Sequence, residues 1–197
     1  MSYESNQTKQ GEMRDWTHNR DMWTRVLEEK TGKSLAQWNA RIKKEEFADA
    51  HSLKTWLAQQ GVTRYARQLL VMERFGYPDF VTASAGKLID AQYADRPHLR
   101  PIYDAIVRAA GDLGEYVIQA RKGFVSLITP RRTFARVQAT TKDRVDLGLR
   151  LEGTKPAGRL QQSRIHETMK LQISFTEPKE VDAEALRWLK KAYEQNC

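Results

Sequence analysis

The residues best suited to chemistry in this sequence are the basic side chains of residues 119–150. This segment carries eight Lys and Arg residues against Asp143 and Asp146, in a chain whose formal net charge is +8. Such a local excess attracts anionic partners, and arginine forks pair with phosphate and carboxylate groups. The sequence therefore predicts an anion-binding or nucleic-acid-binding surface made by Arg121, Lys122, Arg131, Arg132, Phe134, Arg136 and Arg150.

Phe134 belongs to this set because of the stretch RRTFAR. Strand alternation with Ala135 and Val137 in the core places the intervening side chains on the other face. Arg132, Phe134 and Arg136 would then lie together. An aromatic ring between two guanidinium groups can stack on an unpaired base while the arginines neutralise phosphates. The alternative is that a helix covers Phe134 and the arginines form a solvated rim.

The stretch TGKS at 31–34 resembles the end of a phosphate-binding loop. That loop needs a glycine five residues before Gly32, where this chain has Leu27, and it needs a preceding strand. The residues before TGKS instead have helical periodicity. We interpret Ser34 and Gln37 as a capping box that begins a helix.

No catalytic or metal-binding signature is complete. The four histidines are scattered, and the single cysteine, Cys197, rules out an internal disulfide or a cysteine cage. Nuclease-like pairs such as Glu167 and Lys170 are three residues apart, which places them on opposite faces of a strand. We predict no catalytic residues, no metal and no cofactor, and an enzyme is the less favoured interpretation.

The first part of the chain has helical spacing. Apolar residues recur at three- and four-residue steps from about residue 12 to residue 75, and Thr63 is suited to cap the last of four helices. We predict a polar, disordered tail at 1–11 and a helical domain at 12–80. Core packing is the favoured role of the tryptophans, and the alternative is an aromatic box that binds a cation. These tryptophans are Trp16, Trp23, Trp38 and Trp56.

The remaining residues, 85–197, combine helices with strands. Two helices precede a run of short strands bounded by Gly and Pro, and a last helix begins at Asp182. Alternation is clearest at 145–151 and 169–175, which predicts an antiparallel sheet with one face partly wetted. The fold class predicted for the whole chain is α+β, with a small helical bundle followed by a sheet domain flanked by helices.

Two sets of residues suggest a family. TGKSLAQWNARIKKEEF and KTWLAQQGVTRYARQLLV resemble the N-terminal helical domain of small two-domain bacterial proteins of unknown function. LRPIYDAIV, RRTFARVQATTKDRVDLGLRL, RIHETMKLQISF and LRWLKKAYEQ resemble the domain headed "predicted transport protein", which is similar to the YdhG-like fold. The resemblance spans about residues 25–195 and implies the two-domain layout. The iron-chaperone role of some YdhG-like members requires clustered carboxylates, which this basic half lacks.

These observations predict a non-enzymatic binding protein whose C-terminal sheet contacts nucleic acid or another polyanion. The alternative is a protein that binds a small anionic ligand, or an enzyme, with a pocket between the two domains and an anchor at Arg121, Arg131 or Arg150. No stretch of the sequence approaches the length of a membrane span, and the N-terminus lacks a signal-peptide core. We therefore expect a cytoplasmic protein without a membrane partner.

Overall fold

The computed structural model describes residues 11–14 and 16–197, and these residues confirm the predicted α+β fold class. They divide into two compact units, one within Asp15–Ser84 and one that joins the N-terminal residues up to Arg14 to Ala85–Cys197. The predicted disordered tail lies outside the described residues except for Gly11, whose N–H donates to the Tyr116 carbonyl at 3.0 Å.

The first unit is helical. Its helices are α1 (Trp16–Thr31), α2 (Leu35–Lys44), α3 (Ala50–Gln59), α4 (Arg64–Phe75) and α5 (Asp79–Thr82). The predicted capping box of α2 is confirmed, since the Gln37 N–H donates to Ser34 Oγ and the Ser34 N–H donates to Gln37 Oε1. Thr63 stands at the N-cap of α4, but its side chain makes no capping hydrogen bond.

The tryptophans of this unit have different roles. Trp38 is buried in the core with Leu27, Ile42 and Leu53, which confirms core packing for that residue. The indole N–H of Trp38 donates to Thr31 Oγ1 at 2.9 Å, which satisfies the one polar group that its burial would otherwise strand. Trp16 and Trp23 are only partly buried, and their rings pack edge to face with their centres 4.7 Å apart.

A carboxylate ties three helices of this unit together. Glu73 on α4 accepts hydrogen bonds from Arg20 Nη2 on α1 at 2.8 Å and from Asn39 Nδ2 on α2 at 3.2 Å. The Tyr77 hydroxyl also donates to Glu73. Burial raises the pKa of Glu73, but the hydrogen bonds from Tyr77 and Arg20 outweigh it and hold the pKa below its usual value.

The second unit is built on one sheet. Its strands are β1 (Glu12–Arg14), β2 (Val117–Ala120), β3 (Val125–Ile128), β4 (Thr133–Ala139), β5 (Val145–Leu149), β6 (Gln161–Gln162) and β7 (Leu171–Phe175). They lie in the order β1-β2-β3-β4-β5-β7-β6, with parallel pairing between β1 and β2 and antiparallel pairing elsewhere. The helices are α6 (Ala85–Tyr93), α7 (Arg100–Ala110) and α8 (Ala183–Glu194).

The two faces of the sheet differ. Val125, Val137 and Leu147 pack with residues of α6, α7 and α8 in a single hydrophobic core. Because side chains alternate along a strand, their neighbours point to the other face. We call that side the polar face, and its residues are Gln119, Ser126, Arg136, Gln138, Asp146, Gln172 and Ser174.

The structure corrects one local prediction. The helix expected from about residue 12 begins at Trp16, and Glu12–Arg14 form β1 instead. Glu12 pairs with Val117, more than 100 residues away in the chain, so a tertiary hydrogen-bonded ladder replaces the local helical pattern. None of the described helices is long and apolar enough to cross a membrane.

Candidate anion-binding surface

Phe134 and Arg136 lie within β4, and the other predicted anion-binding residues lie at two ends of the sheet. Consecutive antiparallel strands place the β2–β3 and β4–β5 turns at one end, and the β3–β4 turn at the other. The first end carries Arg121, Lys122, Lys142 and Arg144, and the second end carries Arg131, Arg132 and Arg150. Since β4 has seven residues, the two ends are about 20 Å apart. The predicted set is therefore not one continuous patch.

Phe134 is not part of a surface. Its side chain is 0% exposed and lies in the core, where it packs edge to face against two rings. The centre of the Phe134 ring lies 6.0 Å from that of Tyr116 and 5.4 Å from that of Tyr193. The stacking role predicted for Phe134 is wrong, and the alternative, in which a helix covers this ring, is correct, since Tyr193 belongs to α8.

An irregularity in the β3–β4 pairing explains the error. Leu127 pairs with Ala135 and Ile128 pairs with Thr133, so Phe134 has no partner on β3. Such an extra residue interrupts the alternation of side chains along the strand, and the side chain of the unpaired residue then points to a different face. Phe134 and Ala135 consequently both enter the core, while Arg136 resumes the alternation on the polar face.

Arg136 is the predicted residue with the most distinctive environment. Its guanidinium carbon lies 3.4 Å from the centre of the Phe124 ring, and its side chain is partly buried. Its Nε is buried without a hydrogen-bond partner, and within the described part of the chain no hydrogen bond or carboxylate pairs with this guanidinium. Burial lowers the pKa of Arg136, although an arginine remains charged at neutral pH.

The β2–β3 turn places Phe124 against the guanidinium of Arg136. Val125 pairs with Val137, which puts Phe124 diagonally across from Arg136 on the same face of the sheet, within reach of a long side chain. The turn closes with a bond from the Arg121 N–H to the Phe124 carbonyl at 2.8 Å. Gln92 on α6 is buried and donates to the Arg121 carbonyl at 2.8 Å. A buried helix residue thus fixes the turn that carries the ring.

The neighbouring arginine on the polar side differs from Arg136. Arg144 Nε lies 3.1 Å from Asp146 Oδ1, and Asp146 is 0% exposed. The same carboxylate accepts a hydrogen bond from Ser174 Oγ at 2.6 Å. The charge of Arg144 is therefore balanced by an internal acid, whereas none of the described carboxylates pairs with Arg136.

At the other end of the sheet, two of the three basic side chains have protein partners. Arg132 Nη1 lies 3.7 Å from Glu152 Oε1, and Arg150 Nε donates to the Thr133 carbonyl at 2.8 Å. Burial and, to a lesser extent, the charge of Arg132 lower the pKa of Arg150. Arg131 is exposed and lines a cleft of about 350 Å³ within the sheet unit.

Two residues of the Arg136 environment were missed in the sequence. Phe124 follows the basic pair Arg121 and Lys122, and this proximity was the available signal. Gln92 gave no signal, because a glutamine on a helix is ordinarily solvated and only the packing of α6 beside the β2–β3 turn makes it structural.

The fold defines an α+β protein in which one mostly antiparallel sheet has helices on one face and polar side chains on the other. More particularly, the chain belongs to the family described as a domain of unknown function, DUF5655, which matches residues 89–196. The match begins within α6 and ends at the close of the chain, so it covers every strand of the sheet except β1. A search of curated proteins and a search of solved structures found no match.

Proposed function

We propose that this protein is a non-enzymatic binding protein whose sheet unit contacts nucleic acid or another polyanion. The observation that carries the proposal is the environment of Arg136. Burial removes part of the water from this guanidinium, and no carboxylate of the described residues pairs with it, so an incoming phosphate supplies the ionic partner. The transport-related part of the resemblance stays a prediction from the sequence.

The chemistry of Arg136 suits a phosphate. Its two terminal nitrogens make no hydrogen bond to the described residues and are not among the buried, unpartnered atoms, so solvent reaches them. Arginine presents its donors in a planar fork that matches two phosphate oxygens. The Phe124 ring holds that plane in place at 3.4 Å, so less side-chain freedom is lost when an anion binds.

The basic side chains of the β2–β3 and β4–β5 turns add attraction over a longer range. Arg121 and Lys122 lie in the turn that carries Phe124, and Lys142 lies in the adjacent β4–β5 turn. Charges of this kind act through the field of the whole surface, and each phosphate that they neutralise releases counterions. We therefore assign a central contact to Arg136 and steering to its neighbours.

The proposal is tested by fluorescence anisotropy with a labelled 20-nucleotide single strand between 50 and 200 mM salt. The wild-type chain should bind with an affinity that falls steeply with salt. Arg136→Ala should weaken binding about tenfold and reduce the logarithmic salt slope by about one. The matched control is Arg187→Ala, which removes an exposed positive charge from α8, on the helical side of the same unit.

The control variant should change the affinity by less than about twofold, because distant exposed charges contribute weakly. Absence of salt-dependent binding by the wild-type chain would refute the proposal. Equal losses in Arg136→Ala and Arg187→Ala would show that net charge alone drives binding and would remove the assigned role of Arg136.

A further inference from the structure

The guanidinium of Arg136 has one aromatic neighbour and two faces. A distance of 3.4 Å between its central carbon and the ring centre of Phe124 is a van der Waals contact between parallel planes. An edge-on guanidinium would direct an N–H at the ring and hold the carbon farther away. Phe124 therefore covers one face of the guanidinium, and no other aromatic ring of the described residues contacts Arg136.

We propose that an unpaired nucleobase stacks on the second face of the Arg136 guanidinium, so that the preferred partner is a single-stranded nucleic acid. This inference rests on the proposed function and deepens it. Guanidinium planes serve as stacking platforms for splayed bases, as aromatic rings do. The column of ring, guanidinium and base provides the stacking element that the buried Phe134 cannot provide.

The geometry allows one nucleotide to use Arg136 twice. The face of the guanidinium receives the base, while the terminal nitrogens, which lie in its plane, remain free to donate to a phosphate. Bases in a duplex are stacked on both sides by their neighbours and do not offer a free face. An unpaired base does, whether it belongs to RNA or to DNA, so both kinds of strand fit this site.

Electrostatics alone predicts the opposite preference. A duplex has the higher charge density, and its counterion release per contact is larger than that of a single strand. A surface that reads only phosphates should therefore bind duplex at least as tightly as a single strand. A preference for single strands consequently reports a contact with the bases.

The decisive experiment compares four labelled 20-nucleotide probes. They are a DNA strand, an RNA strand of the same sequence, the DNA duplex, and a DNA strand in which abasic spacers replace the bases but leave the phosphates. The wild-type chain should bind the intact strands at least about fivefold more tightly than the abasic strand or the duplex. RNA and DNA strands should bind with similar affinity, since the base face is common to both.

The variant that separates stacking from charge is Arg136→Lys. Lysine keeps the positive charge but lacks the planar group. Arg136→Lys should bind the abasic strand within about twofold of wild type and should lose the preference for intact strands. Phe124→Leu, which removes the supporting ring and leaves Arg136 in place, should reduce the same preference. Circular dichroism establishes that each variant is folded.

The outcomes distinguish the two proposals. Absence of salt-dependent binding to all four probes refutes the polyanion proposal itself. Equal binding of intact and abasic strands by the wild-type chain leaves polyanion binding in place and overturns the stacking proposal. A single-strand preference that survives in Arg136→Lys also overturns it, because the base contact must then lie elsewhere.

Discussion

Replacement of Phe134 by alanine separates a core role from a surface role. The side chain is 0% exposed and touches two aromatic rings edge to face, so its removal leaves a cavity in the core of the sheet unit. Phe to Ala changes at such sites cost about 3–5 kcal/mol of unfolding free energy. The absence of exposed surface favours the middle of that range, about 4 kcal/mol.

Amide hydrogen exchange measures this loss in the unit concerned, without interference from the helical unit. A loss of about 4 kcal/mol should accelerate exchange of the β4 and β5 amides roughly a thousandfold, because each 1.4 kcal/mol is a factor of ten. Phe134→Leu serves as the control, since it fills most of the space and should lose less than half as much stability.

A surface residue would behave in the opposite way. If Phe134→Ala weakened nucleic-acid binding while β4 exchanged at the wild-type rate, the ring would have to lie on the binding surface. That result would refute both the burial of Phe134 and the transfer of the stacking role to Arg136.

Two further predictions concern stability. The Glu73 carboxylate stabilises the helical unit above the pKa of an unfolded glutamate, about 4.3, and this contribution is lost as the pH falls through its lowered folded-state pKa. Glu73→Gln should therefore lower the unfolding temperature of the chain at pH 7, and the unfolding temperatures of the variant and the wild type should converge towards pH 3. A difference in unfolding temperature that stays constant with pH would contradict the role assigned to the hydrogen bonds from Tyr77 and Arg20. Gly148→Ala would place a Cβ 2.5 Å from Ile165 Cδ1 and 3.0 Å from Met169 Cβ. Ile165 can turn its end away, but the Cβ of the buried Met169 moves only with its backbone, so the change should cost about 1–3 kcal/mol and increase proteolysis of the loop before β7. Wild-type stability and cleavage would contradict this packing.

Local patterns predicted local structure well. The Ser34–Gln37 capping box is confirmed, and so is the cap of α8, where the Asp182 carboxylate accepts from the Glu184 and Ala185 N–H groups. Caps involve residues two or three positions apart, so their physics is contained in a short stretch of sequence. The alternation at 145–149 likewise predicted a strand, and β5 is there.

Patterns that depend on distant contacts were less informative. Tyr65 has helical spacing with the buried Leu69, yet it is 60% exposed and stacks on Trp23 at 4.8 Å. Leu186 on α8 lies three residues before the buried Leu189, yet it is 40% exposed. Periodicity gives the face of a helix only to within a residue or so, and the neighbouring elements decide which positions at its margin are covered.

The sequence by itself determined the fold class, the caps of α2 and α8, and the concentration of positive charge in 119–150, because these follow from composition, from periodicity and from bonds between near neighbours. Only the tertiary structure decided where that charge lies and what it contacts. The β3–β4 irregularity turned Phe134 into the core, Asp146 balanced Arg144, and strand register brought Phe124 into contact with Arg136. Register and burial join residues that are distant in the chain, and no local pattern encodes them.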